Sequence, residues 1–219
     1  MKLSESNFTE RFHSGRARVV TSWKVTGLPP GQLSLLFSGL QDLQLRRLDL
    51  TKTDLSSICA EELGEAVARL PEVNLTSTCL TDLQLEVLLG RITRAGDLQP
   101  RLRRLDISKL CLSSVSASLL SRLVGLEEIN LLRTELTEVQ LTAVLTALLE
   151  CKAPLALIKL NLTRNDLSSL PADLLSMALV RLQEVTIFQT SLRTEQVNSL
   201  SEAVVSSQSL SYNNLFFYF

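Results

Sequence analysis

The chain has 219 residues, of which 49 are leucine and only 5% are aromatic. Hydrophobic residues make up 45% and charged residues 21%, which excludes intrinsic disorder, and a core so dependent on one side chain points to one packing solution used many times. The 22 Lys and Arg against 23 Asp and Glu leave a formal net charge of −1, without the basic excess that phosphate contacts demand, and no stretch approaches eighteen uninterrupted apolar residues, so neither a nucleic-acid nor a membrane partner is expected.

Residues 1–19 read as a polar lead-in, without the apolar run of a secretory signal. Residues 20–44 carry a degenerate version of the unit that follows: Val20-Thr21-Ser22-Trp23-Lys24-Val25 is strand-like, and Gln32–Leu40 is helix-like. From residue 45 a frame L-x-x-L-x-L-x-x-x-x-L recurs six times with Leu, Ile or Val at its fixed positions. The segments run Leu45 to Leu55, Leu70 to Leu80, Leu102 to Leu112, Leu126 to Leu136, Leu157 to Leu167 and Leu182 to Leu192. Alternation inside each frame is strand-like, and apolar residues then switch to helical spacing over Ala60–Leu70, Leu83–Ala95, Val139–Glu150 and Ala172–Leu182. Thr81-Asp82-Leu83-Gln84 and Thr137-Glu138-Val139-Gln140 fit the capping box of a helix start, and Pro171 stands where a first-turn proline is tolerated. Residues 209–219 read as a truncated final strand-like segment with no polar cap after it, so self-association through an open C-terminal end is a possible contact.

The frame resembles the leucine-rich repeat family over roughly residues 45 to 200, and the repeats are placed at 45–208. Its fourth positions, 48, 73, 105, 129, 160 and 185, are separated by 25, 32, 24, 31 and 25 residues, so short and long repeats alternate. Leu-Ser-Ser follows the strand at 55–57, 112–114 and 167–169, and Leu-Thr at 80–81 and 136–137. This alternation looks like the ribonuclease-inhibitor subfamily. The resemblance implies an α/β fold, a right-handed solenoid or horseshoe with parallel strands on the concave face and helices on the convex face. Trp23, at the fourth position of the degenerate repeat, then shields the leucine stack or stands exposed for binding.

In such strands, positions three, five and seven of the frame point away from the core. Position three holds Arg47, Glu72, Arg104, Glu128, Lys159 and Glu184, alternating in sign, which fits a self-neutralising ladder and also a mixed-charge docking stripe. Position five holds Asp49, Asn74, Asp106, Asn130, Asn161 and Thr186, read as hydrogen bonding along the sheet. Position seven is small and hydroxylated except at Leu132 and Phe188, and these two with Arg133, Arg164 and Gln189 form a candidate protein-binding patch, set against drift toward harmless exposed apolar residues.

Catalysis, cofactors and metals are not expected. His13 is the single histidine and lies in the lead-in, the eight glycines form no phosphate loop, and the four cysteines lack metal-ligand spacing. Cys79 and Cys111 occupy equivalent places in neighbouring repeats, so a redox clasp and two reduced thiols both remain open. Asn74-Leu75-Thr76 and Asn161-Leu162-Thr163 match the glycosylation pattern, which without a secretory signal reads as incidental. The expectation is a cytoplasmic, non-catalytic module that binds a partner protein through the concave face. The resemblance also admits an inhibitor or activator of a partner enzyme, the ligand-sensing part of an innate immune receptor, and an extracellular recognition receptor.

Overall fold

The computed structural model describes residues 2–4, 21–40, 45–92, 102–151, 155–208 and 216–218, the side chains of 207–208 and 216–218 apart. His13, most of the lead-in, and residues 209–215 and 219 lie outside the described residues. The chain forms two compact units, Met1–Leu110 and Cys111–Phe219.

The N-terminal unit holds strands β1 (Lys2–Ser4), β2 (Ser22–Thr26), β3 (Arg47–Asp49), β4 (Glu72–Asn74) and β5 (Arg104–Asp106), parallel and in chain order. Helices α1 (Pro30–Gly39), α2 (Ala60–Ala68) and α3 (Asp82–Ile92) follow β2, β3 and β4. The C-terminal unit holds β6 (Glu128–Asn130), β7 (Lys159–Asn161), β8 (Glu184–Thr186) and β9 (Phe216–Tyr218), again parallel. Its helices are α4 (Ala117–Arg122), which runs into a 3-10 turn at Leu123–Gly125, then α5 (Glu138–Glu150), α6 (Ala172–Leu179) and α7 (Thr194–Gln208). Each unit is thus the α/β repeat that the frame predicts, with parallel strands joined through helices.

The frame positions explain the core. Positions one, four and six are buried in all six repeats, from Leu45, Leu48 and Leu50 to Leu182, Val185 and Ile187. Position eleven is buried in four repeats but only half-buried at Leu80 and Leu192. A lone repeat leaves such a leucine row half covered, so stacking supplies the burial, at roughly 1.5–3 kcal/mol for each large apolar side chain fully removed from water. Trp23 is fully buried, its strand register placing it opposite Leu48. Strand β1, inside the segment read as a lead-in, pairs outside β2 with Leu3 opposite Val25, and Leu3 is itself fully buried.

The alternating spacing has a helical cause. Helices α2, α4 and α6 have 9, 6 and 8 residues, whereas α3, α5 and α7 have 11, 13 and 15. Long and short helices pack as pairs, α2 with α3, α4 with α5, and α6 with α7. At the first of these interfaces Gly64 lets α2 approach closely: a Cβ there would lie 3.1 Å from Arg91 Cγ and 3.5 Å from Leu88 Cα. Arg91 pairs with Glu61 across the same interface.

A buried glutamine fastens each pair. Gln84, Gln140 and Gln196 recur every 56 residues and are 3%, 3% and 0% exposed. Their Nε2 groups donate to the carbonyls at either end of the preceding Leu-Ser-Ser turn: Leu55 and Ile58, both at 2.7 Å, Leu112 and Val115 at 2.7 and 2.6 Å, and Leu167 and Leu170 at 2.7 and 2.8 Å. Their Oε1 atoms accept the amides of Thr81, Thr137 and Arg193, each at 2.8 Å, at the helix starts. The same side chain therefore caps the long helix and donates to the carbonyls at both ends of the turn before the short helix, of which Leu55, Leu112 and Leu167 also accept the turn amides of Ile58, Val115 and Leu170 at 2.9, 3.0 and 3.2 Å. Both predicted capping boxes form, with Thr81 and Thr137 accepting the amides of Gln84 and Gln140 at 3.2 and 3.3 Å. Pro171 stands at the cap of α6, immediately before its first turn.

Candidate functional site

The strand face opposite the helices presents positions three and five, while seven and eight form the turn that ends each strand. At position three, Arg47 meets Glu72 at 3.0 Å in the N-terminal unit, and Lys159 meets Glu184 at 3.0 Å in the C-terminal unit. Glu72 lies opposite Arg104 in register, and Glu128 opposite Lys159. These side chains are substantially exposed, so each pair contributes about 0.2–1 kcal/mol.

Position five works along its own strand more than across the sheet. Carboxylate or amide oxygens of Asp49, Asn74, Asp106, Asn130 and Asn161 accept the amide two residues on, at 3.0, 2.8, 3.0, 3.1 and 2.9 Å. This side-chain turn bends the chain out of the strand after three residues. In the N-terminal unit the position-seven hydroxyls join in. Thr51 donates to Asp49 at 2.5 Å, Ser108 to Asp106 at 2.6 Å and Thr76 to Asp106 at 3.0 Å, and Thr76 and Ser108 share a bond of 3.0 Å. Burial pushes the Asp49 carboxyl up, but the bonds from Thr51 and the nearby Lys24, at 3.4 Å, outweigh it and leave the group below the usual carboxylate range.

In the C-terminal unit the same column changes character. Leu132 is half-buried, Thr163 is buried, and Phe188 is 47% exposed. The neighbouring position-eight residues, Arg133, Arg164 and Gln189, are all exposed. Arg164 Nε donates to Gln189 Oε1 at 2.6 Å, which joins two of the predicted patch residues directly. Register puts Arg133 beside Thr163, whose carbonyl accepts its amide at 2.8 Å, and Arg164 beside Phe188, whose carbonyl accepts at 3.0 Å. The five predicted patch residues thus lie on the strand ends of one unit.

Two features of this edge escape sequence reading. Position eight is left-handed in every repeat, with φ of 59°, 55°, 61°, 52°, 60° and 55° at Lys52, Ser77, Lys109, Arg133, Arg164 and Gln189. No glycine or asparagine marks these positions, so the residue types carry no signal of the turn. Position nine turns inward: Thr78, Thr134 and Thr190 hydroxyls donate to the carbonyl three residues back at 2.8, 2.8 and 2.7 Å. In β7's repeat that place is taken by Asn165, 3% exposed. It donates to the carbonyls of Leu131 and Leu162 at 2.7 and 3.1 Å and accepts from the Thr134 amide and hydroxyl and the Leu136 amide at 3.3, 3.2 and 3.3 Å. Its residue type, a lone amide in a threonine column, was the available signal.

All four cysteines carry free thiols, Cys59, Cys79 and Cys111 exposed and Cys151 half-buried. Among the described residues no group of His, Cys, Asp and Glu side chains is arranged to hold a metal ion, and no helix is long and apolar enough to cross a membrane.

No protein-family model matches the chain, and none of the curated proteins does. Among solved structures it is similar to the leucine-rich repeat-containing protein LegL7 from Legionella pneumophila, with a TM-score of 0.55 and 19% identity over 90% of this chain and 64% of that one. It is also similar to TLR13 in its complex with ssRNA13, with a TM-score of 0.47 and 14% identity over 92% of this chain and 32% of that one. The first likeness establishes a leucine-rich-repeat fold, and this chain spans 64% of that protein's length.

Proposed function

We propose that the chain is a non-catalytic protein-interaction module of the ribonuclease-inhibitor-like type, acting in the cytoplasm and binding a partner protein through the strand face and strand-end edge of its C-terminal unit. The observation that carries the reading is Phe188, 47% exposed, standing beside Arg164 in the register of the sheet. A large aromatic next to arginine is the composition of interface hot spots, whereas the corresponding places in the N-terminal unit are filled by small hydroxyls already bonded to carboxylates. The subfamily assignment draws on the paired short and long helices and the glutamine that fastens each pair. Charge pairs at position three, including Arg47 with Glu72 and Lys159 with Glu184, flank the surface and contribute register more than affinity.

Affinity capture from native lysate tests this. Wild-type chain is expected to recover a partner that the Leu132→Ser/Phe188→Ser variant does not, and equal recovery by both would refute the patch. A captured enzyme whose turnover changes on binding would mark regulation instead of passive scaffolding.

A further inference from the structure

We infer that the partner presents an acidic segment carrying a large apolar side chain, gripped by Arg133 and Arg164 at the strand ends and by Phe188 and Leu132 beside them. The inference rests on the C-terminal unit's face being the binding surface, and adds the chemistry of what binds there.

Arg133 and Arg164 occupy equivalent left-handed positions on adjacent strands, so their side chains leave the sheet edge from points about 4.8 Å apart. Gln189 fixes Arg164 through Nε alone, which leaves the two Nη groups for a bidentate carboxylate. Among the described residues neither arginine makes an ion pair. Nearby carboxylates have other partners: Glu184 binds Lys159 at 3.0 Å, Glu135 takes the Cys111 thiol at 3.4 Å, and Asp166 takes the Ser168 amide at 3.0 Å. Between the position-three charges and the arginines lies an uncharged band of Asn130, Asn161 and Thr186. Two unneutralised guanidiniums beside an exposed phenyl ring therefore match an acidic segment with an apolar anchor. A single-stranded RNA would also use arginine and an aromatic, but Glu128 and Glu184 on the same face and a formal net charge of −1 oppose a polyanion.

A phage-displayed random peptide library selected against the intact chain tests the class. Enriched peptides are expected to carry Asp or Glu flanking an aromatic or leucine. A synthetic copy should lose at least about tenfold in affinity on Arg133→Gln/Arg164→Gln and on Phe188→Ser, and should weaken as salt rises. Unchanged thermal melts of both variants would show that the loss is not unfolding. A basic or uncharged consensus, binding indifferent to both variants, no enriched binder at all, or oligouridine that binds wild type and is lost in the same variants would each overturn the inference. Captured native partners separate the two levels. If the Leu132→Ser/Phe188→Ser variant loses them and the arginine variant keeps them, the face stands and the acidic class falls; if both keep them, the underlying reading falls as well.

Discussion

The two units use one frame to make two different strand faces. In the N-terminal unit the hydroxyls of Thr51, Thr76 and Ser108 are bonded to Asp49 and Asp106, so polar groups on that face have partners within the chain. In the C-terminal unit the equivalent places hold Leu132, Thr163 and Phe188, next to Asn130, Asn161 and Thr186, none of them a carboxylate. Apolar burial is the same in both units, since positions one, four and six are filled throughout. The contrast teaches that the leucine ladder fixes the scaffold and leaves the intervening columns free to differ, one saturated with internal bonds and the other open to a partner.

The largest expected effects strike what the units share. Gln84→Ala and Gln140→Ala each remove a helix cap and two donors to turn carbonyls, of which Leu55 and Leu112 keep the amides of Ile58 and Val115, so each should lower stability in urea titration by about 3 kcal/mol. A much smaller loss in one unit would show that its helix pair is held by other contacts. Next comes Asn165→Ala, which removes bonds that the threonine column makes only in part. It should cost about 2–3 kcal/mol, against about 1 kcal/mol for Thr78→Val, compared by the same titration.

Acid should act on the N-terminal face. The folded Asp49 carboxyl is held below the usual carboxylate range by the Thr51 bonds and Lys24, so its stabilising contribution is present above the unfolded pKa and lost as pH falls through the depressed one. Denaturation midpoints of wild type should therefore fall below about pH 4 more steeply than those of Asp49→Asn. The smallest expected effects on stability come from surface changes. Phe188→Ser should shift stability by less than about 0.5 kcal/mol while abolishing partner capture, and Thr51→Ala should leave capture intact. Lys159→Ala should cost about 0.2–1 kcal/mol, read from its melting curve.

Much of this was legible in the residues. The frame identified the buried positions, the helical spacing located five helices to within a few residues, and the uneven intervals marked short and long repeats, whose difference lies in the helices. Helices α4 and α7 drew no separate expectation: α4 has a single buried residue, Leu120, and α7 is largely polar in composition. Leu132 and Phe188 were visible as departures from a hydroxyl column, but the bond from Arg164 to Gln189 was not, because the two lie 25 residues apart.

The sequence by itself determined the repeat, its pairing and the burial of its leucines, because apolar periodicity is a local property that stacking merely completes. Tertiary structure alone decided how the turns are closed. Gln84 reaches carbonyls 29 and 26 residues away, and Asn165 one that is 34 residues away. A backbone carbonyl has no residue identity for a pattern to reveal, and the left-handed position eight carries side chains that do not favour that conformation. Those unsignalled turns aim Arg133 and Arg164 beside Phe188, so the candidate site depends on the contacts least readable from the chain.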